Sequence, residues 1–227
     1  MNTQQEGAGI PESAAFLRLM MMASPTFPVG GFAYSHGLEQ AAADGLVSNG
    51  ADLADWLAAL LVHGAPWNDA VLLCESWRQA EGDLAPLAEL AEALAGSHER
   101  HLESHSQGAA FIAAARAAGF AVPLSLPTRT AYPVAFGSVA RFQGIRAIDA
   151  AAAFAQAFVS NQIQCAIRLS VLGQAEGVAL LAGFECRILG LAECAAASTL
   201  DDLGGAAFQA EIAAMRHETL HSRIFRS

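Results

Sequence analysis

Lysine is absent from all 227 residues, and every one of the 12 basic side chains is arginine. That absence removes several enzyme classes at once. There is no phosphate-cradling lysine of a Walker-type loop, no Schiff-base lysine and no kinase-type ATP lysine. Arginine alone suits bidentate carboxylate or phosphate contacts and protein interfaces. Cysteine is sparse as well. Cys74, Cys165, Cys186 and Cys194 are scattered through helical patterns without Cys-x-x-Cys spacing, so they are expected to be reduced, mostly buried thiols of a cytosolic protein. Charged residues make up only 15% against 54% hydrophobic, with a net charge of −10. The negative balance argues against nucleic acid, whose backbone needs clustered cations. No apolar stretch reaches the roughly 18 residues of a membrane span. Polar side chains from Arg18 and Asp149 to Arg168 and Arg187 interrupt the long apolar segments. The apolar excess is instead expected to be covered in a homo-oligomer, such as a homodimer, or in a stable hetero-complex.

Period-two alternation is missing too, so the chain is expected to be an all-α, single-domain bundle of about ten helices. Residues 1–10 are polar, carry Gly7 and Gly9 and have no basic leader; they are expected to be a disordered tail, with one helical domain over 11–227. Three- and four-residue apolar spacing places helices at 12–23, 36–45, 51–64, 68–81, 84–95, 98–118, 134–143, 150–171, 174–197 and 206–220. Asn49 or Asp52, Asn68, Ser97 and Asp149 are the expected openings of their helices. A second irregular connection is expected over Val122 to Pro133.

What the chain does have is Ser24-Pro-Thr-Phe-Pro-Val-Gly-Gly-Phe-Ala-Tyr-Ser-His-Gly-Leu-Glu39. Pro25 and Pro28 fix φ and push their predecessors to extended conformations, while Gly30 and Gly31 permit positive φ or close backbone approach. The segment is therefore a shaped elbow, and Gly31→Val is expected to distort it through the added side chain. Glu39 falls in the first turn of the following helix, near its positive dipole end. Ser35 and His36 are adjacent, but sequence neighbours seldom present base to nucleophile, and no Gly-x-Ser-x-Gly turn is present.

Two other constellations stand out. His98, His101 and His105 follow at i, i+3 and i+7, along one helix face, and offer imidazoles suited to nickel or zinc; the alternative is a solvated polar face. The last stretch, Met215-Arg-His-Glu-Thr-Leu-His-Ser-Arg-Ile-Phe-Arg-Ser227, sets Arg216, Arg223 and Arg226 beside Ile224 and Phe225. Apolar anchors next to arginine forks fit a segment that orders on a partner, the alternative being a segment packed on its own domain.

The elbow motif Ser24-Pro-x-x-Pro-Val-Gly-Gly-Phe with Tyr34-Ser-His-Gly-Leu-Glu39, together with Met215-Arg-His-Glu-Thr and Ser222-Arg-Ile-Phe-Arg-Ser227, resembles the urease accessory protein UreF family. Further similarity falls at Asn68-Asp69, Arg100 to Gly108, Tyr132 to Gly137 with Gly144-Ile145, and Ala157 to Gln174. The resemblance implies an all-helical, dimeric, cytoplasmic maturation factor without catalysis of its own or a stably bound cofactor. It implies binding to the accessory protein UreD, also called UreH, and recruitment of the GTPase UreG, with nickel inserted into apo-urease in a GTP-coupled step. On this basis Gly30, Gly31, Phe32, Tyr34 and Glu39 are expected to shape the partner surface, and Arg216, His217, Glu218, Arg223, Phe225 and Arg226 to dock on it. The chain departs from the family pattern at Phe27, Ala33 and Leu220-His221, where His221 replaces an aromatic anchor and is expected to retune docking. The histidine run at 98–105 does not belong to the pattern, so no family metal role carries over to it; the other expectation is a metallochaperone that itself holds nickel there.

Overall fold

The computed structural model describes residues 10–227, so the expected tail, Ile10 aside, lies outside the described residues. Among these, eleven α-helices run in order: α1 Glu12–Met22, α2 Leu38–Ala43, α3 Gly50–His63, α4 Ala65–Arg78, α5 Ala85–Ala93, α6 His98–Ala117, α7 Tyr132–Phe142, α8 Ala147–Arg168, α9 Gln174–Gly183, α10 Glu185–Ala197 and α11 Phe208–His217. Two 3₁₀ turns, Gly31–Ala33 and Leu200–Asp202, complete the order, and no described residue is in a strand. The fold is all-α.

Local chemistry explains most boundaries. Asn49 Oδ1 accepts from the N–H groups of Ala51 and Asp52 at 2.9 and 3.1 Å, and Ser97 Oγ from that of Arg100 at 3.1 Å. These are side-chain caps over orphan donors. Elsewhere the expected openings are corrected. Helix α4 begins after Gly64, with Pro66 in its first turn, three residues before Asn68; proline is pre-organised there and its missing N–H costs nothing. Asn68 instead sits inside the helix and accepts from Gly204 N–H at 2.9 Å. Pro133 likewise lies in the first turn of α7, so the irregular connection stops at Ala131 rather than at Pro133. Asp149 is inside the first turn of α8, held bidentately by Arg146 at 2.6 and 2.7 Å, and Arg146 occupies the cap position.

The expected single helix over 174–197 is two. Phe184 ends α9 with an i to i−3 hydrogen bond to Leu181, 3.1 Å, and opens α10. Its ring is buried, so the break turns Phe184 into the core while α9 packs on α3 and α8, and α10 on α4 and α8. Periodicity alone runs through such a break.

The core centres on α4, packed against α7, α8 and α10. Helix α7 is buried from Pro133 to Ala140, and Gly137 lets its backbone meet the Leu73 carbonyl and Ser76 hydroxyl, where a Cβ has no room. Around it Phe111 stacks on Phe136 at 5.3 Å and meets Phe27 in a tilted pair at 5.1 Å, and Tyr132 and Phe154 meet at 5.1 Å. Such pairs add roughly 0.5–1.5 kcal/mol each beyond burial. No single helix among the described residues is long and apolar enough to cross a membrane; α3 and α4 reach that length only as a pair bent by 41°. Of the four thiols, Cys74 and Cys165 are buried, whereas Cys186 and Cys194 are exposed, which corrects the expectation that most would be covered.

Candidate functional site

The elbow and the terminal segment, far apart in sequence, form one structure. Gly30 takes φ +77°, the 3₁₀ turn follows, and His36 and Gly37 take φ 53° and 77°. Gly37 is the demanding glycine: a Cβ there lies 2.7 Å from the backbone nitrogen of Ala214 on α11. Gly31 is not. It has ordinary φ and no atom within 4 Å of a Cβ, so the expected distortion by a side chain at Gly31 has no steric basis.

The tail lies along the elbow, joined to it by main-chain hydrogen bonds. Arg226 N–H donates to Ala33 O at 2.7 Å, and Ser35 donates both its N–H and its hydroxyl to the main-chain oxygen of Ser227, each at 2.5 Å. Arg168 from α8 donates to Phe32 O at 2.8 Å and stacks over the Phe225 ring at 4.2 Å. A segment expected to order on a partner is thus ordered on its own domain, because Phe225 finds an apolar seat beside α8 and the elbow carbonyls find donors.

Beneath this weld three helix ends converge. Glu39 stands in the first turn of α2, Glu99 in the first turn of α6, and His217 in the last turn of α11. The two carboxylates complement the dipoles of their own helices. His217, fully buried, meets Glu99 Oε2 through Nδ1 at 2.7 Å and Glu39 Oε2 through Nε2 at 3.0 Å. Each ring nitrogen of His217 thus faces a carboxyl group of its own. Glu39 also accepts from the N–H groups of Ile224 and Phe225 at 2.7 and 3.0 Å, and Arg223 reaches Glu99 at 2.6 Å. Burial pushes the Glu39 carboxyl up, but the bonds from His217, Ile224 and Phe225 outweigh it and hold it below its ordinary value.

A second polar cluster lies alongside. His36 Nε2 is 2.9 Å from Glu103 Oε1, Gln107 donates to the same oxygen at 2.8 Å, and Arg100 spans Glu103, at 3.3 Å, and Asp69 of α4. Burial raises Glu103, and the charges and hydrogen bonds of His36 and Arg100 more than reverse it, so its carboxyl is held low. For Asp69 burial wins over Arg100, and its carboxyl is raised. One guanidinium thus faces two buried carboxyls, one held low and the other raised. His36, Arg100 and Glu103 line two concavities, one of about 90 Å³ toward Ser97 and Ala210 and one of about 410 Å³ toward Met20 and Phe32. Ser35 and His36 face different partners, so they make no nucleophile and base pair.

Set against this geometry, the expected partner residues divide. Tyr34, Glu39, His217 and Phe225 are buried and hold the weld together, with their side chains turned into their own domain. Gly30, Phe32, Arg216, Glu218, Arg223 and Arg226 are exposed and Gly31 is half-buried. Arg216 pairs with Asp44 at 2.7 Å, and Glu218 accepts from the N–H of His98 at 2.9 Å. Missed from sequence were His36, Asp69, Arg100 and Glu103 as one cluster. The available signal was an Arg and a Glu at i, i+3 inside a helix that also presents apolar Phe111 and Ile112. Of the histidine run, His101 and His105 come together and meet Glu92 of α5, while His98 is exposed and outside that group. Burial first, and then His101, lower the pKa of His105.

All-helical and welded by its own terminal segment, the chain is of a class that sequence comparison with known proteins narrows to one family. The family model UreF matches residues 47–185. The chain is 58% identical over 219 residues to the urease accessory protein UreF of Mesorhizobium japonicum, covering 96% of this chain and 98% of that protein. It is 55% identical over 221 residues to the urease accessory protein UreF of Rhizobium etli strain CIAT 652, covering 96% and 99%. Against urease accessory protein UreF 1 of Brucella canis it is 54% identical over 217 residues, 95% of each chain. This chain belongs to the UreF family.

Proposed function

We propose that this protein is a urease maturation factor. It binds the accessory protein UreD, also called UreH, and through that complex recruits and regulates the GTPase UreG, so that nickel enters apo-urease in a GTP-dependent step. The observation that supports this reading is the welded elbow and tail, along which Phe32, Arg223 and Arg226 are exposed. Phe32 is 49% exposed, and no carboxylate among the described residues forms an ion pair with Arg226. An apolar anchor beside an uncommitted guanidinium is the composition that interface hot spots favour. Exposed Phe16, Leu17, Met20 and Met21 on α1 and Phe208 and Ile212 on α11 support further burial against a partner or in a homodimer. Nickel is cargo here rather than a resident cofactor, and the carboxylates and imidazole where the two concavities meet suit its passage. The protein acts in the cytoplasm and as a scaffold, without turnover of its own.

The test is co-purification with UreD and UreG, followed by urease activation and UreG GTPase rates with and without this chain. Phe32→Asp and Arg226→Glu alter exposed side chains, so helical circular dichroism stays unchanged while complex formation and activation are lost. Full activation by both variants sinks this assignment of the surface.

A further inference from the structure

The α5–α6 hairpin carries an arrangement that the weld does not use. Glu92 stands in the last turn of α5, Ser97 caps α6 after a short connection, and His101 and His105 follow four residues apart. That spacing puts both imidazoles on one helix face, and their ring centroids are 4.5 Å apart. Glu92 Oε1 lies 2.9 Å from His101 Nε2, and one donor atom from each of the three residues falls within 4.8 Å of the others.

His105 supplies an independent observation. Its side chain belongs to a residue only 7% exposed, yet neither ring nitrogen has a hydrogen-bond partner. Buried polar groups without partners are costly and rare. An ion bound by one ring nitrogen removes that cost for the nitrogen it binds.

We propose that Glu92, His101 and His105 form a binding site for one divalent transition-metal ion of the nickel, cobalt or zinc type, with water completing the coordination. Two imidazoles and a carboxylate are a borderline donor set that favours these ions over magnesium or calcium. Ligands at about 2.0–2.2 Å from one ion stand roughly 3–4 Å apart, so the three donors need only small side-chain rotations. Glu92 and His101 have that freedom, with side chains 53% and 25% exposed. On binding, the His101 to Glu92 hydrogen bond is replaced by two bonds to the ion, and any proton on a coordinating nitrogen leaves to solvent. The site differs from a histidine face in two respects: it recruits Glu92 from another helix and leaves out His98. It does not depend on the partner surface proposed above.

The experiment uses tag-free, chelator-treated full-length protein titrated with nickel and with cobalt, followed by calorimetry and by the visible absorption of bound cobalt. One ion per chain is expected. Glu92→Gln and His105→Gln each weaken binding by about tenfold or more, and His98→Gln binds as the unaltered protein does. Because Glu92 is exposed, its variant folds normally and keeps the test decisive whatever His105→Gln does to stability. Binding that is unaffected by Glu92→Gln, or that falls as much with His98→Gln as with Glu92→Gln, overturns the site.

Discussion

His217 Nε2 lies 3.0 Å from Glu39 Oε2 across 178 positions of sequence, and through that contact the C-terminal helix fixes the elbow that opens the fold. Removing the imidazole by His217→Ala leaves Glu39 and Glu99 facing one another in a buried space. Glu39 keeps the Ile224 and Phe225 N–H groups and Glu99 keeps Arg223, so the cost is that of losing a buried hydrogen bond to a charged group, about 1.5–3 kcal/mol. A matching fall in the urea unfolding free energy is expected; a change below about 1 kcal/mol means that the carboxylates relax into solvent.

Two glycines of the elbow separate conformational demand from mere presence. Gly37→Ala places a non-glycine residue at φ 77° and drives its Cβ into the Ala214 backbone, so it should lose about 1–2 kcal/mol from backbone strain alone, and more from displacement of α11. Gly31→Ala, in open space at ordinary φ, should be neutral or gain about 0.5 kcal/mol. Thermal unfolding of the two variants beside the parent decides the order.

Glu103 gives the chain an acid-labile contribution. Its folded value lies below the ordinary 4.5, so the stabilisation is fully present above that pH and is lost as pH falls through the depressed folded value. The stability gap between the parent protein and Glu103→Gln should therefore be widest at neutral pH and close on acidification below 4.5. Asp69, raised by burial, works with the opposite sign. Urea midpoints at pH 7 and below 4 measure the gap, and a gap that widens in acid rules the argument out.

Thiol reactivity should split in two. Burial pushes the Cys74 and Cys165 thiols up to about 11 and about 12, whereas Cys186 and Cys194 are exposed. Because the thiolate is the reactive form, a disulfide-exchange reagent should titrate two thiols quickly in the native protein and all four in urea. Four fast thiols in the native state would refute the packing around α4 and α8.

Helices with their own signals were legible. Asn49 and Ser97 cap the helices they precede, and the elbow is irregular where Pro25, Pro28 and Gly30 require it. Family membership was legible from the same elbow and tail. Less readable was the break at Phe184, since the apolar period continues across it and only packing on two different neighbours turns the chain. At the candidate site, sequence offered Glu39 as shaping a partner surface and His217 and Phe225 as docking residues, and the structure buries all three in their own domain. Nothing in composition tells whether an arginine-rich segment with one phenylalanine folds back or waits for another protein.

By itself the sequence determined an all-helical chain with no lysine chemistry, a rigid elbow and an interface-like terminus, because propensity, capping and φ restriction act over a few residues. Tertiary structure alone decided which charges meet. His217 joins Glu39 to Glu99, Arg100 joins Glu103 to Asp69, and Glu92 rather than His98 completes the group with His101 and His105. Those pairings depend on how helix ends are brought together by burial of apolar faces, a long-range outcome that no local window contains.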